Sequence, residues 1–286
     1  MMKVLVLGVT GMLGNAVFRV FSADAQMEAW GTLRSASGKR AFSDSVHDRL
    51  LENIDVLDQD TLCAVLARVR PDVVVNCIGL IKQLADAKNP LSALPVNAML
   101  PHRLSALCQL VGARLIHVST DCVFSGRKGS YLESDVSDAE DLYGKSKFIG
   151  EINDQAHVVT LRTSIIGHEL SSHHALIDWF LSQRGGVKGF ARAIFSGLPT
   201  VELARVMKDF VLPNLALHGL YHVAAAPISK LELLRLVASQ YGKGIEIVPD
   251  HDFAIDRSLN GDRFAAATGY TAPPWPELVA RMHANR

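Results

Sequence analysis

Tyr143 and Lys147 stand four positions apart in "DLYGKSKFIGE", residues 141–151. On an α-helix such a pair lies on one side, a turn apart, so a phenol and an ammonium can face a single pocket. A phenol with its ordinary pKa of about 10 is a poor acid–base group near neutrality, and a neighbouring ammonium lowers that value by stabilising phenolate. The pair could therefore move a proton to or from an oxygen. It could equally be part of a solvated helix face, and the spacing alone does not decide. A third group is needed. "HVSTDCVFSG" (117–126) offers hydroxyls at Ser119 and Thr120, where one can bond a reacting carbonyl oxygen.

A second constellation suits phosphate. "GVTGMLG", residues 8–14, follows an apolar run and opens a helical pattern. Gly8 allows a tight turn, Gly11 lets a pyrophosphate approach the backbone, and Gly14 permits close helix–sheet packing. Thr10, Met12 and Leu13 complete a loop whose free N–H groups and helix dipole face the phosphates. Where the second strand ends, an NAD-binding chain places Asp or Glu against the ribose 2′-hydroxyl. Here Arg34 stands in that place, with Lys39 and Arg40 close by. A guanidinium grips a 2′-phosphate that a carboxylate would repel, so the reading is NADP, with NADPH preferred over NADH. The alternative for Arg34 is a solvated loop position. Asp55 and Val56 after the third strand, and Cys77, Ile78 and Gly79 after the fourth, fall where adenine and ribose contacts are expected.

The elements that must position these groups are legible as alternating patterns. Strand-length apolar runs at 3–7, 28–33, 53–56, 72–78, 114–119 and 158–162 alternate with helical periods at 12–21, 61–70, 91–111 and around Tyr143. Near-continuous apolar strands such as "DVVVNC" suit a parallel sheet covered on both faces. The expected fold class is α/β, a doubly wound Rossmann-type parallel sheet with right-handed crossovers and ligands at the strands' carboxyl ends. After Arg162 the alternation becomes irregular, through "GHELSSHHALIDWFL" and "RGGVKGFARAIFSGLPT" to a helix from about Val201. A strand "GLYHVAA" follows, able to return to the sheet, and then a helix opened by Ser229 with Glu232 three residues on. The expected organisation is an NADP-binding domain at 1–165, rejoined by 201–225, and a smaller, interleaved substrate domain at 166–286.

With 49% apolar and 20% charged residues, the 286-residue chain can bury a large core. Lys plus Arg and Asp plus Glu both number 29, so no net field points to nucleic acid or a membrane surface, and specificity must come from a local site. Cys63, Cys77, Cys108 and Cys122 form no CxxC pair, which favours reduced thiols in a cytoplasm. The opening "MMKVLVLGVTGMLG" lacks a cleavage pattern, and no run reaches the roughly 18 apolar residues of a membrane span. "HELSSHH" (168–174) misses the His-Glu-x-x-His spacing of a zinc helix by one residue and reads as a polar loop at the cleft. Ile177, Trp179 and Phe180 read as core or dimer surface, which leaves a homodimer open.

Together the glycine loop, the hydroxyl-bearing strand end and the Tyr-x-x-x-Lys helix resemble the extended short-chain dehydrogenase/reductase superfamily. Within it, "HVSTDCVFSG", "LYGKSKFIGE", "LRTSIIG", "FSGLPTVELARV" and "DRSLNGDRFAAATGY" resemble the sugar-nucleotide reductases, above all the dTDP-4-dehydrorhamnose reductase family, over essentially the whole chain. The resemblance implies NADPH-dependent reduction of the 4-keto group of a nucleotide-linked 6-deoxysugar, in the synthesis of cell-surface polysaccharide precursors. It implies that Tyr143 gives the proton, that Lys147 tunes it and bonds the nicotinamide ribose, and that Thr120 polarises the ketone. Ser119, Arg162, Thr163 and Ser164 would flank the nicotinamide. Asp121, Phe124, Thr200, Arg257 and Ser258 would line the sugar-nucleotide side. Two departures stand out: Cys122 replaces an aromatic after Thr-Asp, and the acidic magnesium ligands of some members have no match, so no metal is assigned. Sugar-nucleotide dehydratases need an Asp-Glu pair where this chain has Asp121-Cys122. An epimerase, which needs the same tyrosine, stays open. So does a non-catalytic NADP-binding subunit resembling the regulatory subunit of methionine adenosyltransferase.

Overall fold

The computed structural model of the chain describes residues 1–81, 88–170 and 175–286. Its first half runs β1 (Met2–Leu7), α1 (Met12–Ser22), β2 (Met27–Thr32), β3 (Leu50–Leu51), α2 (Gln59–Val69), β4 (Val73–Asn76), α3 (Pro90–Ala93), α4 (Leu100–Val111), β5 (Arg114–Thr120), α5 (Leu142–Ile149) and β6 (Val158–Thr163). The second half adds β7 (Ile165–Ile166), α6 (Leu176–Ser182), β8 (Val187–Phe195), β9 (Leu198–Pro199), α7 (Thr200–Val206), β10 (Gly219–His222), β11 (Ile228–Ser229), α8 (Lys230–Gln240), β12 (Ile247–Asp256), α9 (Asp262–Thr268) and α10 (Trp275–Ala284).

Seven strands form a parallel sheet in the order β10-β6-β5-β4-β1-β2-β3. Side chains alternate across a strand, and here both sides are covered. Val4, Val6, Val73 and Val75 pack with Val17, Phe18 and Phe21 of α1 on one face. Leu5, Leu7 and Val74 pack with Leu62, Val65 and Leu66 of α2 and with Leu100 and Leu104 of α4 on the other. That double burial is why the strands read as unbroken apolar runs, and it bears out the expected doubly wound fold.

Local chemistry sets the boundaries. Asp58 caps α2 by accepting from the Asp60 and Thr61 N–H groups, and Gly112, at φ +73°, ends α4 in the left-handed region. The helical pattern at 91–111 is present with a wider turn inserted at Leu94–Met99, between α3 and α4. One strand expectation is corrected: 53–56 is not a strand. The third strand is Leu50–Leu51, because Asn53 turns left-handed at φ +58° and the Asp55 side chain accepts from the Leu57 N–H, steering the chain toward α2. "GLYHVAA" gives β10, parallel to β6 at the sheet edge. Ser229 caps α8 through the Glu232 N–H, as its spacing predicts.

The irregular stretch beyond Arg162 builds a second sheet in the order β11-β8-β12 and a short β7-β9 pair. The loop from Gly126 to Tyr131 is stitched to the end of β12 by Asp256 N–H to Gly126 O at 2.8 Å and by the Tyr131–Leu259 bridge. This joins the second sheet to the carboxyl end of β5, where a site is expected. Among the described residues, no helix is long and apolar enough to cross a membrane.

Candidate active site

Thr120 is the last residue of β5, and its hydroxyl accepts from the Cys122 N–H at 3.2 Å. The helix carrying the tyrosine starts at Asp141, whose carboxylate accepts from the Gly144 N–H at 2.8 Å. A Cβ on Gly144 would lie 2.2 Å from the Cys122 carbonyl oxygen, so glycine is what lets α5 sit against the turn after Thr120. That packing sets the Tyr143 phenol beside the Thr120 side chain. Lys147, 5% exposed, donates from Nζ to the Val118 carbonyl at 2.8 Å. A Cβ on Gly79, past β4, would be 3.9 Å from the same Nζ. Phenol, hydroxyl and ammonium thus converge at the carboxyl ends of β4 and β5.

Burial raises the Tyr143 pKa, helped by nearby Cys122, while the Thr120 hydroxyl acts in the other direction. The expectation that Lys147 lowers it is corrected: the ammonium bonds a carbonyl instead, and desolvation dominates the phenol. Burial also lowers Lys147 to about 8, against the pull of Glu151 and Cys77. At neutral pH the phenol holds its proton and the lysine is charged.

The glycine loop has the shape a diphosphate needs. Gly8 sits at φ +82° and donates to the Thr32 hydroxyl at 3.1 Å. Gly11 caps α1 with no side-chain cap bond, and the first turn of α1 carries no acidic residue, so its N–H groups suit an anion. A Cβ on Gly14 would lie 2.2 Å from the Gly8 carbonyl oxygen. Arg34 and Arg40 are exposed at the end of β2, and Lys39 is ion-paired with Glu52. Gly38 presses this arginine-bearing turn onto Thr10, where a Cβ would meet the threonine methyl at 2.9 Å. Asp55 is exposed and Val56 half-buried, while Ile78 covers Gly8. Burial pushes the Cys77 thiol up to about 12, which makes it an inert neighbour.

On the other wall, Asp121 is buried and its pKa is raised by that burial, against the charge of Arg257 and the Thr120 hydroxyl, which donates to it at 3.2 Å. Arg257 donates to the Phe124 carbonyl at 2.8 Å and to the Cys122 sulfur at 3.7 Å, so Asp121, Cys122 and Arg257 form one surface. Thr200, at the start of α7, stands against Gly167. Five expected contact residues instead have their side chains inside the fold. Phe124 is fully buried, stacked on Tyr131 with ring centroids 4.0 Å apart. Ser258 bonds Asp256 and the Ser130 N–H. Ser119 and Arg162 both turn to Glu151, and Thr163 donates to the Val223 carbonyl at 2.7 Å. In "HELSSHH", His168 bonds Asp178 and Tyr241, while His173 and His174 lie outside the described residues.

With this geometry in hand, the sequence profile of the RmlD substrate binding domain family matches residues 2–284. The chain belongs to that family. The resemblance read from the motifs is thereby borne out. Curated relatives of this RmlD-family chain include methionine adenosyltransferase 2 subunit beta of Danio rerio, 28% identical over 253 residues, covering 84% of the chain and 74% of that protein. A probable low-salt glycan biosynthesis reductase of Haloferax volcanii is 30% identical over 151 residues, covering 52% of the chain and 48% of that protein. The match to the mouse subunit spans 41% of that protein's length. Among solved structures, dTDP-4-dehydrorhamnose reductase from Bacillus anthracis in complex with NADP superposes with a TM-score of 0.80 at 20% identity, covering 100% of this chain and 98% of that one. These structures share the fold.

Sequence reasoning overlooked Glu151 of this RmlD-family site. A signal was present: phenol, ammonium and carboxylate recur every four residues at 143, 147 and 151. Glu151 lies just past α5, where its N–H bonds the Phe148 carbonyl, and its side chain reaches Ser119.

Proposed function

We propose that the protein is an NADPH-dependent reductase of a nucleotide-linked 4-keto-6-deoxysugar, serving polysaccharide precursor synthesis. The observation that carries the reading is the convergence of Thr120, Tyr143 and Lys147 across α5 from the strand end, on a fold whose first crossover opens with an anion-ready glycine loop. Support comes from the family and from structural neighbours named as dTDP-4-dehydrorhamnose reductases, one solved with NADP.

The N–H groups at Gly11–Leu13 hold the diphosphate, and Arg34 holds the 2′-phosphate. The bound coenzyme supplies the hydride. The Thr120 hydroxyl bonds the ketone oxygen and fixes it beside Tyr143. As C4 takes the hydride, the ketone oxygen takes the Tyr143 proton, leaving a secondary alcohol and a phenolate. Charged Lys147, anchored on the Val118 carbonyl, holds the coenzyme's ribose beside this pair. Asp121 and Arg257 hold the sugar nucleotide against this pair.

The test is NADPH absorbance on addition of a dTDP-linked 4-keto-6-deoxysugar. Oxidation by the wild type, lost by at least about a hundredfold in Tyr143→Phe, is the expected result. Tight NADPH binding with no oxidation by any such ketone would replace the enzyme with the regulatory-subunit reading.

A further inference from the structure

A buried polar network joins the end of the catalytic helix to the strands it faces. One Glu151 carboxylate oxygen accepts from the Ser119 hydroxyl at 2.6 Å and from Arg162 Nε at 2.8 Å, and the other accepts from Arg162 Nη2 at 2.5 Å. The two charged side chains are 4% and 2% exposed. Arg162 continues to His222 Nε2 at 2.9 Å and lies over the Phe124 ring. Lys147 precedes Glu151 by four residues and bonds the carbonyl of Val118, the neighbour of Ser119. One carboxylate therefore anchors the strand end that carries Thr120 from the helix that carries Tyr143.

A buried ion pair adds little net stability, because desolvation offsets the attraction, so its presence calls for another use. Among the described residues, the groups facing Lys147 are Glu151, Cys77 after β4 and His117 on β5. Burial keeps the Cys77 thiol and the His117 imidazole neutral, which leaves Glu151 as the anion among them. Arg162 faces Glu151 from β6, on the side of His222.

We infer that Glu151 is a positioning residue of the reductase site: it locks the end of α5 to the end of β5 through Ser119, and it supplies the negative charge that holds the Lys147 ammonium in place. The inference rests on the proposed function, because the ammonium's task is to hold the coenzyme. Removing the carboxylate lets Lys147 lose its proton at lower pH, while a purely structural Glu151 would change stability and leave that titration alone.

The experiment is NADPH binding by fluorescence across the neutral-to-alkaline range, without any sugar. Wild-type affinity is expected to fall as pH rises through about 8, where Lys147 titrates. In Glu151→Gln the fall comes about one pH unit lower, Glu151→Asp restores its position, and Lys147→Met shows none. Should Glu151→Gln fail to fold, Glu151→Leu/Arg162→Met replaces the ion pair with an apolar pair; the fall then moves in the same direction but by less, because the Arg162 charge that partly offset the carboxylate goes with it. A fall at the wild-type pH in the charge-free variant, or no fall in the wild type, overturns the inference. A wild type that binds no NADPH at all overturns the proposed function, and the inference with it.

Discussion

Two arginines show how environment decides what one residue type does. Arg162 is 2% exposed and its guanidinium is occupied by Glu151, His222 and the Phe124 ring. Arg34 is exposed at the end of β2, on a turn held against the glycine loop by the Gly38–Thr10 contact. An exposed planar fork beside the glycine loop suits a second phosphate. Arg34→Ala is accordingly expected to raise the Kd for NADPH by roughly ten- to a hundredfold, the worth of a charge-assisted hydrogen bond, and to change NADH by less than about twofold. Fluorescence titration with the two coenzymes checks it. Equal losses would remove Arg34 from 2′-phosphate recognition. The same contrast holds at Tyr143, where burial outweighs a cation that does not reach the phenol. The phenol is thus held protonated at neutral pH, which suits the donor role proposed for it.

At the scale of elements, the crossover from β1 to α1 depends on Gly14. Its Cβ position is 2.2 Å from the Gly8 carbonyl and 3.1 Å from the Val9 Cα, both backbone atoms that cannot step aside. Gly14→Ala must push α1 off the sheet, an overpacking cost of about 1–3 kcal/mol, while spreading the loop that cradles phosphate. Urea unfolding and NADPH titration should therefore worsen together, and a stability loss with intact affinity would confine Gly14 to packing. This element was legible because glycine spacing and apolar period coincide. β3 was not, since two residues are too short for periodicity and Asn53 leaves the extended region. β12 was hidden too: it carries Pro249 and Asp250, and its pairing with β8 shifts register between Asp250 and Ala254, which breaks the two-residue alternation. The placement of Tyr143 and Lys147 on one helix was readable from their spacing. Glu151 was not taken up, because its work is done beyond the helix, across the sheet. Phe124 and Ser258 sit beside chemistry in the sequence yet point inward, a choice made by Tyr131 and Asp256.

Across the whole molecule, buried histidines tie the sheet to the loops around the site and make the fold sensitive to acid. His222 on β10 accepts from Arg162 at Nε2, because a guanidinium only donates, so its proton sits on Nδ1 and reaches the Tyr131 carbonyl at 3.0 Å. Burial and then the Arg162 charge lower its pKa to about 3. His117 on β5 accepts from Asn76 Nδ2 at 3.2 Å, and burial followed by the Lys147 charge holds it well below 6.5. The unfolded chain binds protons at these histidines as pH falls below about 6.5, whereas the folded chain does not until far lower. Their contribution is therefore complete above pH 6.5 and declines as pH drops from there toward 3, by about 1.4 kcal/mol per unit for each histidine. His222→Gln keeps an acceptor for Arg162 and a donor for Tyr131 but cannot take up a proton. Its folding free energy, measured by urea denaturation at neutral pH and at successively lower values, should fall about half as steeply as that of the wild type wherever these two histidines dominate. Parallel slopes for the two proteins would show that His222 is not a source of the acid sensitivity.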